Sequence, residues 1–165
     1  NIGYGNPKAI NQLIAHHSIL FKPQSSDFWI STMPYQEGVY VHYNLSDVLK
    51  GKMPDADSLN IPASEFVNSN DLKKFEAFKV IKQRIYKHNT FGVKLHLSEI
   101  EIKQYIDNNP MSYVTYMSLG DYFYHEKNYQ RATAYYKEAL KQEVASKAEE
   151  EKIQKMIETC TEKLK

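Results

Sequence analysis

One cysteine, Cys160, occurs in 165 residues. That excludes an intramolecular disulfide and any cysteine metal cluster. It leaves the compartment open, and a cytoplasmic or a periplasmic location would fit equally. No apolar run approaches the ~18 residues that span a bilayer, and no basic segment followed by an apolar stretch marks a signal peptide. The net charge is +1 with 25% charged residues, so neither sign dominates. A sequence-independent nucleic-acid binder needs a concentrated positive field to displace counterions, and none is present. An acidic disordered tail is excluded on the same ground. Tryptophan is scarce, with one against 13 tyrosines. Tyrosine suits half-wet helix seams, where the ring buries area and the hydroxyl keeps a partner. The chain opens Asn1-Ile2-Gly3-Tyr4-Gly5-Asn6-Pro7 without a methionine, the expected look of a processed chain or a piece of a longer one.

What is present divides near residue 66. Asn6-Pro7 is expected to start a short amphipathic stretch through Ala15, with Ile10, Leu13 and Ile14 on one face. The runs His17–Phe21 and Phe28–Thr32 are aromatic and β-branched and flank the polar Pro23–Asp27, the pattern of a hairpin with a longer loop. Val39–Tyr43 is a third strand, entered through Gly38, and Leu45–Leu49 is a helical turn or two. Residues 51–64, with Pro54 and Pro62, read as an extended connection. From Asn70 the period changes: Leu72, Phe75, Phe78, Ile81 and Ile85 form a helical stripe. Residues 91–97 fit no single pattern. Ser98-Glu99-Ile100-Glu101 is a capping box, with Leu97 and Ile102 at staple positions. Asn109-Pro110 is expected to end one helix and start another with Pro at its first position. Ser146-Lys147-Ala148-Glu149 is a second box, opening a helix with Ile153, Met156, Ile157, Cys160 and Leu164 on one side. The expected fold class is α+β: a small antiparallel β element over 1–66, then an all-α domain over 67–165.

Between residues 113 and 146 the sequence resembles one tetratricopeptide repeat (TPR). Tyr116, Leu119, Gly120 and Phe123 fall at the spacing of the first-helix signature, with Tyr in the usual Trp position. Tyr129, Ala132, Tyr136 and Ala139 continue it through the turn Asn128–Ala132 and the second helix. Gly120 and Ala132 are small where the helices approach, and the aromatics fill the groove. Val144 replaces the usual Pro near the repeat end. The helix over 147–164 would then serve as the solvating cap that stacked repeats need. A single clear repeat is a short groove for a peptide, so packing within the protein is the first reading and binding a protein partner the second.

From Gly5 to Leu45 the sequence resembles the C-terminal part of the acyl-coenzyme A:6-aminopenicillanic acid acyltransferase family. The residues that carry it are Gly5-Asn6-Pro7, Asn11, Leu13, His17-Ser18-Ile19-Leu20-Phe21 and Pro23. They continue with Trp29-Ile30-Ser31-Thr32, Pro34-Tyr35-Gln36, Gly38 and Tyr43-Asn44-Leu45. The resemblance implies an N-terminal-nucleophile hydrolase of αββα type. In that family a Cys exposed by self-cleavage attacks a linear amide or an acyl thioester, with its own α-amine able to serve as base. Asn1 is not such a residue, and Cys160 lies on the apolar side of the last helix as a small core residue. The nucleophile would therefore belong to an upstream part of the same protein, which becomes the expected partner. No catalytic residue is assigned within the chain, and Tyr35, Gln36 and Tyr43 are the candidates to line a substrate pocket in a complete enzyme.

Other chemistry is weaker. His16 and His17 are adjacent and would point to opposite faces of a strand, while His88, His96 and His125 stand apart. No metal or cofactor is expected. Ser18 beside His17 does not make a nucleophile–base pair, since strand neighbours face apart. Gly3–Pro7 is glycine-rich but lacks the preceding strand and the following Lys-Ser or Lys-Thr of a phosphate loop.

Overall fold

A computed structural model of the chain describes residues 2–9, 13, 15–53 and 59–165. The fold is mixed α+β, with a three-stranded antiparallel sheet and, among the described residues, six α-helices. It divides into two compact units. One comprises Ile10–Leu72; the other joins Asn1–Ala9 to Lys73–Lys165. The boundary thus falls in the first turn of a long helix, and the first nine residues group with the helices, whereas the sequence reading placed them with the strands.

In the first unit β1 (Ile19–Lys22), β2 (Asp27–Ser31) and β3 (Tyr40–Asn44) form a meander in the order β1-β2-β3. The polar loop between β1 and β2 is a 3-10 turn over Pro23–Ser25 that ends in left-handed Ser26. Register pairs Phe21 with Phe28, Phe28 with Tyr43, Ile19 with Ile30 and Ile30 with Val41. Asn44 ends β3 and caps α1 (Leu45–Leu49), accepting from the Ser46 amide at 3.1 Å. Within the expected extended connection, Ile61 bridges Tyr40 in antiparallel fashion. Pro54 lies outside the described residues. So do Ile10 and Ile14 of the expected N-terminal amphipathic stretch, while its first residues, Pro7 and Lys8, form a turn rather than a helix.

The helices of the second unit follow their apolar stripes. In α2 (Asn70–Phe91), Phe75, Phe78 and Ile85 are buried, and Gly92 ends it with a positive φ of 66°. Helix α3 (Glu99–Asn108) opens on the complete Ser98/Glu101 capping box. Tyr105, on its inner face, stacks on Phe78 at 4.7 Å. Helix α4 (Tyr113–His125) starts later than the sequence suggests. Pro110 sits in the preceding turn, where its carbonyl accepts from the Tyr116 hydroxyl, and Ser112 is the N-cap. Once the Asn109–Ser112 turn closes on itself (Ser112 N–H to Asn109 O, 3.3 Å), Pro110 is outside the helix. Helix α5 (Tyr129–Leu140) is capped by the Asn128 side chain, and α6 (Lys147–Lys163) by Ser146, which accepts from Glu149 at 3.2 Å. No described helix is long and apolar enough to cross a membrane.

Candidate functional site

Alternation along the strands sorts the sheet into two unlike faces. Ile19, Phe21, Phe28, Ile30, Val41 and Tyr43 share one face through the register given above. Their rings form a ladder: Phe21 lies 6.1 Å from Phe28, and Phe28 stacks on Tyr43 at 5.2 Å and 13°. None of the six is buried, and Phe21 is 71% exposed. Apolar side chains aligned in this way gain stability when they leave water, at ~25 cal/mol per Å². Here much of that gain is unrealised.

The other face carries the exposed Leu20 beside a closed cluster of polar groups around Trp29. The Asp27 carboxylate accepts from His42 Nε2 at 3.0 Å and from Asn44 Nδ2 at 2.9 Å. Hydrogen bonds from Ser25, then Asn44, then His42 hold the Asp27 carboxyl at about 2, well below its ordinary range. The Trp29 ring leans on His42 at 5.1 Å, and its indole N–H donates to the Leu59 carbonyl at 2.7 Å. The His42 amide donates to Asn60 Oδ1 at 2.9 Å. This cluster pins the sheet to the segment around residue 60. Asp27 and His42 are 15 positions apart, and their meeting depends on strand register. The signal available in sequence was the alternation of Asp27, Trp29 and Ser31 against Tyr40, His42 and Asn44.

The expected pocket residues do not converge on one point. Tyr35 and Gln36, with positive φ of 51° and 63°, form the tight turn closed by the Glu37 amide on the Pro34 carbonyl at 2.8 Å. Gln36 is buried. The turn lies beyond the Ser31–Tyr40 end of the β2–β3 ladder. Tyr43 is three residues further along β3, about 10 Å at ~3.4 Å per residue, and its ring belongs to the apolar ladder. Gly38 fits a crowded place: a Cβ there would stand 2.2 Å from the Met33 carbonyl.

In the helical unit the eight residues that carry the repeat resemblance lie on α4 and α5, most of them in the seam between the two. Leu119, Ala132, Tyr136 and Ala139 are fully buried, and Phe123 nearly so. A Cβ on Gly120 would fall 2.6 Å from the Tyr136 ring. The Tyr136 hydroxyl donates to Asp121 Oδ1 at 2.6 Å. Burial raises both groups above their ordinary pKa values, and the Asp121 charge raises the phenol further. Tyr116 and Tyr129 flank the seam half-exposed; Tyr129 packs edge-on to Tyr124 and carries Lys163 over its face at 5.6 Å. Phe123 is covered by the Arg131 guanidinium at 4.0 Å, itself tied to both oxygens of Glu99.

Cys160 has no exposed surface, and burial pushes its thiol pKa up. A nucleophilic thiol needs the opposite shift and an approach path. Among the described residues no three His, Cys, Asp or Glu side chains are grouped to hold a metal ion. No family model, curated protein or solved structure matches the chain.

Proposed function

We propose that the chain is the C-terminal portion of an N-terminal-nucleophile amidase or acyltransferase, acting on linear amide or acyl thioester bonds, with a TPR-like structural extension. The observation that carries this reading is the uncovered apolar face of the sheet. An αββα fold packs two sheets face to face through such surfaces. A meander with a six-residue apolar face and, among the described residues, β1 as an outer strand is what one of those sheets offers before its partner is in place. The polar cluster of Asp27, His42 and Asn44 on the other face needs no such cover.

On this reading the chain supplies scaffold and part of a pocket wall, with Tyr35 and Gln36 at one end of the sheet. The attacking thiol and its α-amine base come from the upstream part of the protein. The chain alone is then inert toward phenoxyacetyl and short-chain acyl amides. Co-producing it with the segment encoded upstream, and finding self-cleavage that exposes a cysteine together with amide hydrolysis, supports the reading. Turnover by the isolated chain that disappears in Cys160→Ala contradicts it, as does an upstream sequence with no cysteine.

A second reading, a non-enzymatic TPR-like module for protein interaction, is favoured by a separate observation. The helical unit already grips a turned piece of polypeptide, residues 2–8.

A further inference from the structure

Residues 2–8 lie against the helical unit as a strap of successive turns, with Asn6 Nδ2 also donating to the Ile2 carbonyl at 3.2 Å, and each of its fixing points reads the strap in a different way. The Asn109 side chain makes a reciprocal pair with the Tyr4 backbone. Its Oδ1 accepts from the Tyr4 N–H, and its Nδ2 donates to the Tyr4 carbonyl, both at 3.0 Å. This pair recognises the Tyr4 backbone whatever the side chain, and reversing the amide would set donor against donor. Gly3 supplies the second fixing point. Its φ is 82°, and a Cβ would stand 2.6 Å from Ser112 Cα and N, so a residue with a side chain is excluded on two counts. The third is Asn6, which has no exposed surface. Its Nδ2 donates to the Glu143 carbonyl at 2.8 Å, and its Oδ1 accepts from the Lys8 amide at 3.0 Å. The Tyr4 ring lies 6.0 Å from that of Phe75, and Lys8 pairs with the Glu143 carboxylate.

The receiving surface is therefore built from α2 (Phe75), the α3–α4 corner (Asn109, Ser112) and the α5–α6 loop (Glu143). Asn109 is 1% exposed with the strap in place. Without the strap its amide would be left without these two partners, a cost of the kind that makes buried polar groups specific readers. We propose that this surface is a peptide-recognition groove for a turned Gly-aromatic-Gly-Asn-Pro-Lys segment, and that its occupant is the chain's own Gly3–Lys8. The inference stands on the helical unit alone and holds under either functional reading. A tethered occupant competes at an effective concentration of about millimolar, so the groove is closed to the same segment in trans while the strap is seated.

The test uses the full chain and a fluorescent, end-capped peptide of residues 2–8. The Gly3→Val chain loses the seat of its own strap but keeps every groove residue. The peptide is expected to bind that chain and not the wild type, and a peptide carrying the same Gly3→Val change is expected to bind neither. Adding Asn109→Ala to the Gly3→Val chain should weaken binding about tenfold or more. No binding to a folded Gly3→Val chain, or equal binding with and without Asn109, overturns the proposal. Should Gly3→Val fail to fold, hydrogen exchange in the Asn109→Ala chain decides. The Tyr4 amide should exchange about tenfold faster or more while the Leu119 and Ala139 amides stay protected. An unchanged Tyr4 amide overturns the proposal as well.

Discussion

The two units of this chain differ in how much apolar core they enclose, although the helical unit also leaves Val80, Tyr86, Phe91 and Ile100 exposed. In the helical unit Ile85, Leu119, Ala132, Tyr136, Ala139, Ile153 and Cys160 are buried to 1% exposure or less. Several of its polar groups are matched, as in Tyr105 with Ser118, Tyr113 with Glu149 and Tyr136 with Asp121, while the buried Asn89 Oδ1 on α2 has no hydrogen-bond partner. In the sheet unit the one buried strand residue is Ser31, a polar side chain that accepts from the Ser18 amide, while Phe21 and Leu20 face solvent. Helices bury a stripe against neighbours close in sequence, and α4, α5 and α6 follow one another directly. A sheet buries a face only against another layer, and three strands with a short α1 do not provide one. The difference teaches that local periodicity can complete one kind of core but not the other.

The largest break in that contrast comes from the helical seam. Gly120→Leu drives a side chain into the Tyr136 ring, an overpacking cost of about 1–3 kcal/mol or more. Thermal unfolding followed by circular dichroism should show a drop of about 4–8 °C per kcal/mol for a unit of this size. A melting temperature unmoved by Gly120→Leu would mean that the seam is looser than its geometry.

Next in size is the entry to α3. Ser98→Ala removes the acceptor for the Glu101 amide and the partner of its carboxylate. The expected loss is ~1 kcal/mol, seen in chemical denaturation as a lower midpoint with an unchanged slope. A shift in slope instead would point to a change in how much surface unfolds.

Acid sharpens the comparison further. Hydrogen bonds from the Ser98 backbone and then from Arg84 hold the Glu101 carboxyl at about 2, against an ordinary 4.5. A carboxyl depressed on folding contributes stability that is complete above its unfolded value and lost as pH falls through the folded one. Helical stability should therefore decline between about pH 4.5 and pH 2, and Glu101→Gln should flatten that stretch of the curve. Asp27 titrates in the same low range within the sheet unit, so near-ultraviolet bands from Trp29 report its share separately. Identical acid profiles for Glu101→Gln and wild type would remove Glu101 from the account.

The smallest effect is expected at the exposed Lys137. Its replacement by alanine should stay within ~0.5 kcal/mol by the same denaturation measurement. A larger loss would show that this face of α5 is covered in solution.

Much of this contrast could be read before any coordinates. The three strands fall within two residues of their hydrophobic runs, and α1 matches Leu45–Leu49. The capping box at Ser98 and the stripe of α2 were visible because each is written in residues no more than four apart along the chain. The small residue at Gly120 announced the close approach to Tyr136. What was hidden depends on distance along the chain. Gly3-Tyr4-Gly5-Asn6-Pro7 read as a failed phosphate loop and as the start of the acyltransferase-like stretch, and not as a strap, since its partner Asn109 is 105 residues away. The Asp27–His42–Asn44 cluster required the register of two strands. Pro110 looked like a helix start until the Asn109–Ser112 turn moved that start to Tyr113.

The central claim is that the sheet leaves its apolar face exposed while the helical unit encloses a core of its own. Light scattering of the isolated chain, together with binding of an apolar dye, tests it most directly. The account predicts dye binding or concentration-dependent association, lost when Ile19→Lys and Phe21→Lys are combined, with the helical melting transition unchanged. A clean monomer that binds no dye, in wild type and variant alike, would contradict it.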